Sequence, residues 1–248
     1  MLISVVTVVR NSARTIQHCL ASVQQQPVSP EHIVVDGQST DGTLEILHQA
    51  QAGNPRLDMI SEADTGIYDA MGKGLARARG EVIGCLNADD FYATSTVLER
   101  VSEVFADPAI DSCYGDLVFV DHPGEKVVRR WHAGRMSSRA FYWGWMPPHP
   151  TFFVRRSVYE RYGGFRLDLG TAADYELMLR FLVKHRITTC YIPAVLVKMR
   201  VGGVSNASLR NRLLAHQYDR KAWTVNGLRP YPWTLLLKPV RKLGQWLA

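Results

Sequence analysis

Four apolar runs in the first ninety residues alternate with helical patterns, and that alternation decides which folds are open to the chain. Ile3–Val9 is a continuous β-branched run, and His32–Asp36, Leu57–Ser61 and Val82–Leu86 are shorter ones. Asn11-Ser12 can cap a helix running to about Gln25. Thr43 begins a helix with Leu44 and Leu47 inward, and Ile67–Ala78 is helical. Runs that are apolar at nearly every position suit strands buried on both faces. The βαβαβ order predicts a parallel, right-handed sheet whose ligand crevice lies at the carboxyl ends of its strands.

The fourth run stops at Cys85-Leu86-Asn87-Ala88-Asp89-Asp90, which sets two adjacent carboxylates at a strand end. Such a pair is costly unless a cation or a solvated ligand stands beside it. Hard oxygen ligands suit Mg²⁺ or Mn²⁺, and Mg²⁺ reaches a protein through one or two carboxylates plus substrate phosphates. The competing reading is a cap for a helix over Thr94–Phe105.

Further acids fall at loop positions that a sheet would gather. Asp36 ends the second strand, Asp64 and Asp69 flank the turn before the third helix, and Asp174 opens a helix running from Ala172 to Lys184. Acids around a cation, with one left free to accept a proton, suit displacement at an activated phosphate ester. The middle of the chain reads as a hairpin (112–120 and 126–131) and an ordered aromatic, proline-rich loop from Trp143 to Thr151. A short helix over 157–162 and final strands over 187–193 and 196–200 follow.

In their order these motifs resemble family 2 glycosyltransferases of the GT-A fold. The matching stretches are Ser4-Val-Val-Thr-Val-Val-Arg-Asn11, Ile33-Val-Val-Asp-Gly-Gln-Ser-Thr-Asp-Gly-Thr43, the run from Ser61 to Gly74, Leu86-Asn-Ala-Asp-Asp90 and Asp174-Tyr-Glu-Leu-Met-Leu-Arg180. The Asp-Thr-Gly-Ile-Tyr-Asp-Ala-Met version is similar to bacterial transferases that assemble exopolysaccharide or O-antigen repeat units. The resemblance implies an α/β fold, a mostly parallel Rossmann-like sheet flanked by helices. It implies a catalytic domain over 1–205, with a nucleotide-binding half (1–91) and an acceptor-binding half (92–205); residues 206–248, beyond the resemblance, read as a basic, amphipathic helical tail.

It also implies roles. Asp36 would hydrogen-bond the base of a nucleoside-diphosphate-sugar donor, most often a UDP-sugar, with Thr7, Val8 and Arg10 lining the base pocket. Asp64, Lys73 and Asn87 would contact the donor, Asp89 would approach its ribose and diphosphate, and Asp90 would hold a divalent cation, Mg²⁺ or Mn²⁺. Asp174 matches the family's catalytic base in an inverting transfer to a glycan or lipid-diphosphate-linked acceptor. Two departures stand out: Ala173 where an acid often precedes the base, and Gly72 in place of the usual Asn before Lys73. Glu176 is the alternative base, although two residues along a helix is about 200° around it. His149, between prolines, suits the diphosphate, the metal, the acceptor or a structural place in its loop. Arg200 with Gly202-Gly203 suits the diphosphate, or else an ordinary turn capped by Ser205 or Asn206.

Charge is unevenly spread. Residues 200–248 carry nine Lys or Arg against Asp219 alone, a net of +8, and residues 1–199 hold 20 bases and 22 acids, a net of −2. In the tail, Trp233, Leu236, Val240, Leu243 and Leu247 recur at helical spacing, with Trp246 near the end and Pro239 within. A basic amphipathic segment of this kind suits the interface of an anionic membrane. Packing on the catalytic domain and homodimer formation are the alternative uses of that stripe. No apolar run reaches the roughly 18 residues of a membrane span, and Cys19, Cys85, Cys113 and Cys190 lack paired spacing, so a cytoplasmic, reducing location is expected. No Gly-x-Gly-x-x-Gly follows a strand and no P-loop is present, which excludes the usual dinucleotide and P-loop readings. Nucleic acid is not an expected partner, because an acid-lined cleft repels a phosphate backbone. A non-catalytic nucleotide-sugar or glycan-binding module on the same fold is the rival from another class, and it has little use for a base at Asp174.

Overall fold

The computed structural model describes residues 1–137, 139–202 and 209–243. Strands β1 (Ile3–Val9), β2 (Glu31–Asp36), β3 (Leu57–Ser61) and β4 (Val82–Cys85) are parallel and lie in the order β3-β2-β1-β4. Helices α1 (Ile16–Gln24), α2 (Thr43–Gly53) and α3 (Ile67–Arg77) make the three crossovers. Val5, Val9 and Val34 pack with Ile16, Cys19, Leu20 and Leu47 of α1 and α2, whereas Val6, Val8, Ile33 and Val35 pack with Ala70 and Met71 of α3. Both faces are therefore covered, the reason these strands read as unbroken apolar runs. Gly74 lets α3 close on β1, since a Cβ there would stand 2.3 Å from Val6 Cγ1.

Beyond β4 the sheet turns mixed. The order continues through β8 (Phe153–Arg155), β6 (Ser112–Val120), β9 (Thr189–Arg200) and β5 (Phe91–Tyr92), and β7 (Val127–Trp131) pairs with β6 as the expected hairpin. β8 is antiparallel to β4 and β6, so β6 again runs with β4 and brings its carboxyl end to the crevice side. The two final strands expected over 187–193 and 196–200 are one strand. Its register slips opposite Gly115–Leu117, a bulge that accommodates Pro193 without a ladder N–H.

Helices α4 (Val97–Val104), α5 (Arg156–Tyr162), α6 (Ala173–Leu179), α7 (Leu209–Val225) and α8 (Thr234–Leu243) complete the fold. A widened helical turn, Arg180–Lys184, extends α6. The segment expected as a separate tail after residue 205 belongs to the second core. Ala222 and Trp223 of α7 and Leu235 of α8 are buried with Tyr114, Phe141 and Tyr175. Trp223 Nε1 donates to Tyr175 Oη at 2.9 Å, and Thr234 Oγ1 donates to the Tyr142 carbonyl at 2.7 Å. Gly203, the cap expected at Ser205 or Asn206, Trp246 and Leu247 lie outside the described residues. The four cysteines are free thiols, three of them buried.

Candidate active site

The donor side is laid out by the loops that leave β1, β2 and β3. Asp36, wholly buried at the end of β2, accepts the Ser39 N–H at 3.0 Å, the Ser39 hydroxyl at 2.5 Å and the Ser61 hydroxyl at 2.7 Å. It thereby ties the loop after β2 to the end of β3. The loop after β1 is laced to the same turn: Asn11 N–H donates to Ser39 Oγ at 2.8 Å and Thr40 N–H to Asn11 Oδ1 at 2.8 Å. Arg10, exposed just past β1, meets Gly37 and Asp64 here. A Cβ on Gly37 would lie 2.3 Å from Asp64 Oδ2 and 3.4 Å from Arg10 Cδ. Only glycine leaves that space open. Asp64 caps its own turn by accepting the Gly66 N–H at 3.0 Å. Lys73 folds back on the same turn, donating to the Ala63 carbonyl at 2.5 Å and pairing with Glu62 at 3.0 Å.

Between β4 and β5, Asn87 Nδ2 donates to Asp90 Oδ2 at 3.0 Å. Asp90 is fully buried, and burial, then the neighbouring Asp89 charge, push its carboxyl well above the usual range. Asp89 is half-buried, and its carboxylate has no hydrogen-bond partner among the described residues. Arg200, at the end of β9, closes this turn from behind. Its guanidinium donates to the Asp89 carbonyl at 2.6 Å and the His122 carbonyl at 2.9 Å, meets His18 Nδ1 at 2.8 Å, and packs on the Phe91 ring. All three nitrogens thus have protein partners, so Arg200, expected from sequence at the diphosphate or in an ordinary turn, braces the acid pair from behind.

The acceptor side centres on Asp174 at the start of α6. Its half-buried carboxylate accepts the Tyr175 N–H at 2.7 Å. Tyr68 of α3 faces it from the donor half, and burial, then the Asp174 charge, raise that phenol well above its ordinary value. Phe165 completes the wall, its ring 5.5 Å from Tyr68 and 5.6 Å from His149. Burial lowers the His149 pKa against the opposing pull of Asp174, so the imidazole is neutral near pH 7. The structure sets His149 on the acceptor side, beside Phe165 and within the field of Asp174. Glu176 is excluded as a base. It is wholly buried, bonded to Arg180 Nε at 2.9 Å and to Asn226 Nδ2 at 2.9 Å, while Arg180 also holds the carbonyls of Tyr162, Gly163 and Gly164.

The strand parity corrects one donor assignment. Thr7 points to the α1 face, its hydroxyl 2.9 Å from His32 Nε2 and 3.8 Å from Cys19 Sγ, so it fills the core and does not line a base pocket. Val8 packs against α3, and of the three β1 residues only Arg10 reaches the loops where Gly37 and Asp64 meet.

Residues 4–163 match the family described as glycosyl transferase family 2. The chain belongs to that family. An uncharacterized glycosyltransferase of Mycobacterium tuberculosis is 31% identical over 188 residues, covering 72% of this chain and 68% of the relative. A PGL/p-HBAD biosynthesis glycosyltransferase of Mycobacterium bovis is 28% identical over 215 residues, covering 85% and 82%. Among solved structures, Staphylococcus aureus TarS 1–349 in complex with UDP-GlcNAc superposes with TM-score 0.66 at 17% identity, over 100% of this chain and 79% of that one. The mannosyltransferase PcManGT of Pyrobaculum calidifontis, in complex with GDP-Man and Mn²⁺, gives 0.65 at 20% identity, over 95% and 67%. The fold is of the GT-A type.

The family 2 transferase offers a cation an all-oxygen set between β4 and β5. Asn87 Oδ1 and Asp90 Oδ1 are buried acceptors with no donor among the described residues, and Asp89 stands beside them. Such a set fits a hard divalent ion. No group of three or more His, Cys, Asp or Glu side chains suited to a metal occurs among the described residues, so phosphate oxygens would have to complete the shell. Sequence reasoning missed Tyr68, Gly37 and His18 in this transferase. Tyr68 and Gly37 sit inside the quoted motifs, directly beside Asp69 and Asp36, and that adjacency was the available signal.

Proposed function

We propose that the chain is an inverting, divalent-cation-dependent glycosyltransferase. It would move a sugar from a nucleoside-diphosphate-sugar, with uridine diphosphate as the favoured carrier, to a hydroxyl of a glycan or lipid-linked acceptor in surface polysaccharide or glycolipid synthesis. The observation that carries this reading is the half-exposed Asp174 carboxylate. It faces Tyr68 of the donor half while the only competing acid on α6, Glu176, is consumed by Arg180 and Asn226. UDP-GlcNAc and GDP-Man complexes of proteins with the same fold support the donor class.

In this mechanism the loops carrying Asp36, Gly37, Asp64 and Arg10 seat the nucleoside. Asp90 through Oδ1, with Asp89, would hold the cation, which supplies positive charge against the departing diphosphate. Asp174 accepts the acceptor hydroxyl's proton as that oxygen bonds to the anomeric carbon. The bond from that carbon to the diphosphate oxygen breaks on the opposite face, and no covalent enzyme intermediate forms. A carboxylate base serves here without a histidine relay. Tyr68 and neutral His149 orient the hydroxyl beside it. The acceptor is taken to be membrane-borne and the enzyme to work at a cytoplasmic membrane face.

The test is a panel of nucleotide-sugars assayed for nucleoside-diphosphate release with Mn²⁺, Mg²⁺ or chelator. Cation-dependent release from one donor is expected. Tight donor binding without release under any condition would instead identify a binding module.

A further inference from the structure

Helix α8 turns apolar side chains outward as well as inward. The stripe Trp233, Leu236, Val240 faces solvent, exposed by 43%, 64% and 55%, whereas Thr234, Leu235 and Lys238 face the protein. Lys238 Nζ contacts both Asp219 carboxylate oxygens at 2.7 Å and lies 3.8 Å from the Tyr175 ring centre. An ammonium inward and Leu236 and Val240 outward reverse part of the ordinary amphipathic arrangement, while Leu235 is buried in the usual way. The reversal is fixed from below. Gly144, with φ of +73°, lets the backbone of α8 approach so closely that a Cβ there would stand 2.6 Å from Lys238 N.

A second segment extends the same apolar face. Trp143, from the loop before β8, is 50% exposed, and its ring lies 5.9 Å from that of Trp233. Isolated exposed apolar side chains are ordinary, but a contiguous cluster held in place by a buried ion pair and a glycine contact marks an interaction surface. Tryptophans beside aliphatic residues suit the boundary between headgroups and acyl chains. The segments that carry these side chains also supply charge. Arg139, Arg229 and Arg241 are exposed and have no ion-pair partner among the described residues. The one acid after residue 199, Asp219, is already taken by Lys238. No helix among the described residues is long and apolar enough to cross a membrane.

We propose that Trp143, Trp233, Leu236 and Val240, with Arg139, Arg229 and Arg241, form a docking face for an anionic lipid surface. The apolar stripe enters the acyl boundary and the guanidinium groups meet lipid phosphates, which fits a face of this charge better than a second, equally basic copy of the chain. Because Lys238 and Trp223 hold the Tyr175 end of α6, docking here sets the membrane beside the element that carries Asp174. The inference rests on the proposed transfer only for its purpose, and docking is measured without it.

The intact chain is mixed with phosphatidylcholine vesicles, with or without about one-third phosphatidylglycerol, and read by co-sedimentation and tryptophan emission. Binding to the anionic vesicles alone, with a blue-shifted emission and loss in high salt, is expected. Leu236→Ser with Val240→Ser should weaken it at least about tenfold, as should Arg229→Glu with Arg241→Glu. All four side chains are exposed, so thermal unfolding and donor hydrolysis should match the parent. Equal, negligible binding to both vesicle types at low salt would overturn the proposal, as would unchanged binding of the Leu236/Val240 variant. Concentration-dependent dimers abolished by that variant, without vesicle binding, would reassign the face to a second copy. Absence of donor hydrolysis with intact vesicle binding would fault the proposed reaction and leave the docking face standing.

Discussion

The donor half and the acceptor half hold their functional groups in opposite ways. On the donor side Asp36, Asp64, Asp89 and Asp90 lie at or within a few residues of the end of a parallel strand, and the strand-end loops fasten one another: Asp36 to Ser39 and Ser61, Asn11 to Thr40, Asp64 to Gly66. On the acceptor side Asp174 is placed by contacts far away in sequence. Tyr68 reaches it from α3, Trp223 of α7 holds the next residue, and the Glu176–Arg180–Asn226 cluster fastens α6 to α5 and α7. A nucleotide pocket can be laid out chiefly by strand ends, with Arg200 bracing one turn, whereas a base on a helix is positioned by the packing of that helix against its neighbours. The two halves should therefore fail differently when cut.

The largest expected effect is on the cation. Asp90→Asn, or chelation of the parent, should lower turnover by about 10³-fold, the loss of several kcal/mol of charge stabilisation, and circular dichroism should show the fold intact. Full activity of the chelated parent would remove the cation from the account. Next, Glu176→Ala strands the Arg180 guanidinium in the acceptor core and should cost about 3–5 kcal/mol in chemical denaturation. The folded fraction should keep its turnover per molecule, which separates a structural acid from a catalytic one. On the donor side, Gly37→Ala displaces the Asp64 carboxylate and should raise the donor KM about tenfold or more with kcat little changed. Equal damage to kcat would mean that the two halves are not separable. The smallest effect is expected for Tyr68→Phe. Removing one hydroxyl beside Asp174 should reduce kcat by roughly tenfold or less, about one hydrogen bond's worth, and leave the donor KM alone.

How much of this was readable in the chain follows the same division. β1 to β4 and the acids after them were legible, because strands buried on both faces leave unbroken apolar runs and loop acids follow directly. What parity alone hides is which face a residue takes in such a strand. The resemblance placed Thr7 in the base pocket, and nothing in the apolar run showed that it bonds His32 beneath α1. Arg200 was left between a diphosphate contact and an ordinary turn, because nothing local shows that Asp89, His122 and His18 meet its three nitrogens. Glu176 and Asp174 are two residues apart, and only the neighbours brought by α5 and α7 show which is free. The helical stripe of α8 was visible, but its outward direction depends on Gly144 and Asp219, both distant in sequence.

The most direct test of the central claim, that Asp174 is the base of an acceptor half distinct from the donor pocket, is to compare Asp174→Asn with the parent. Donor affinity by calorimetry and single-turnover transfer are measured on the same preparation with Mn²⁺ present. The account predicts transfer slowed by about 10² to 10⁴ with donor affinity unchanged within about twofold. Parent-like transfer by Asp174→Asn, or lost donor binding in step with lost transfer, would contradict it.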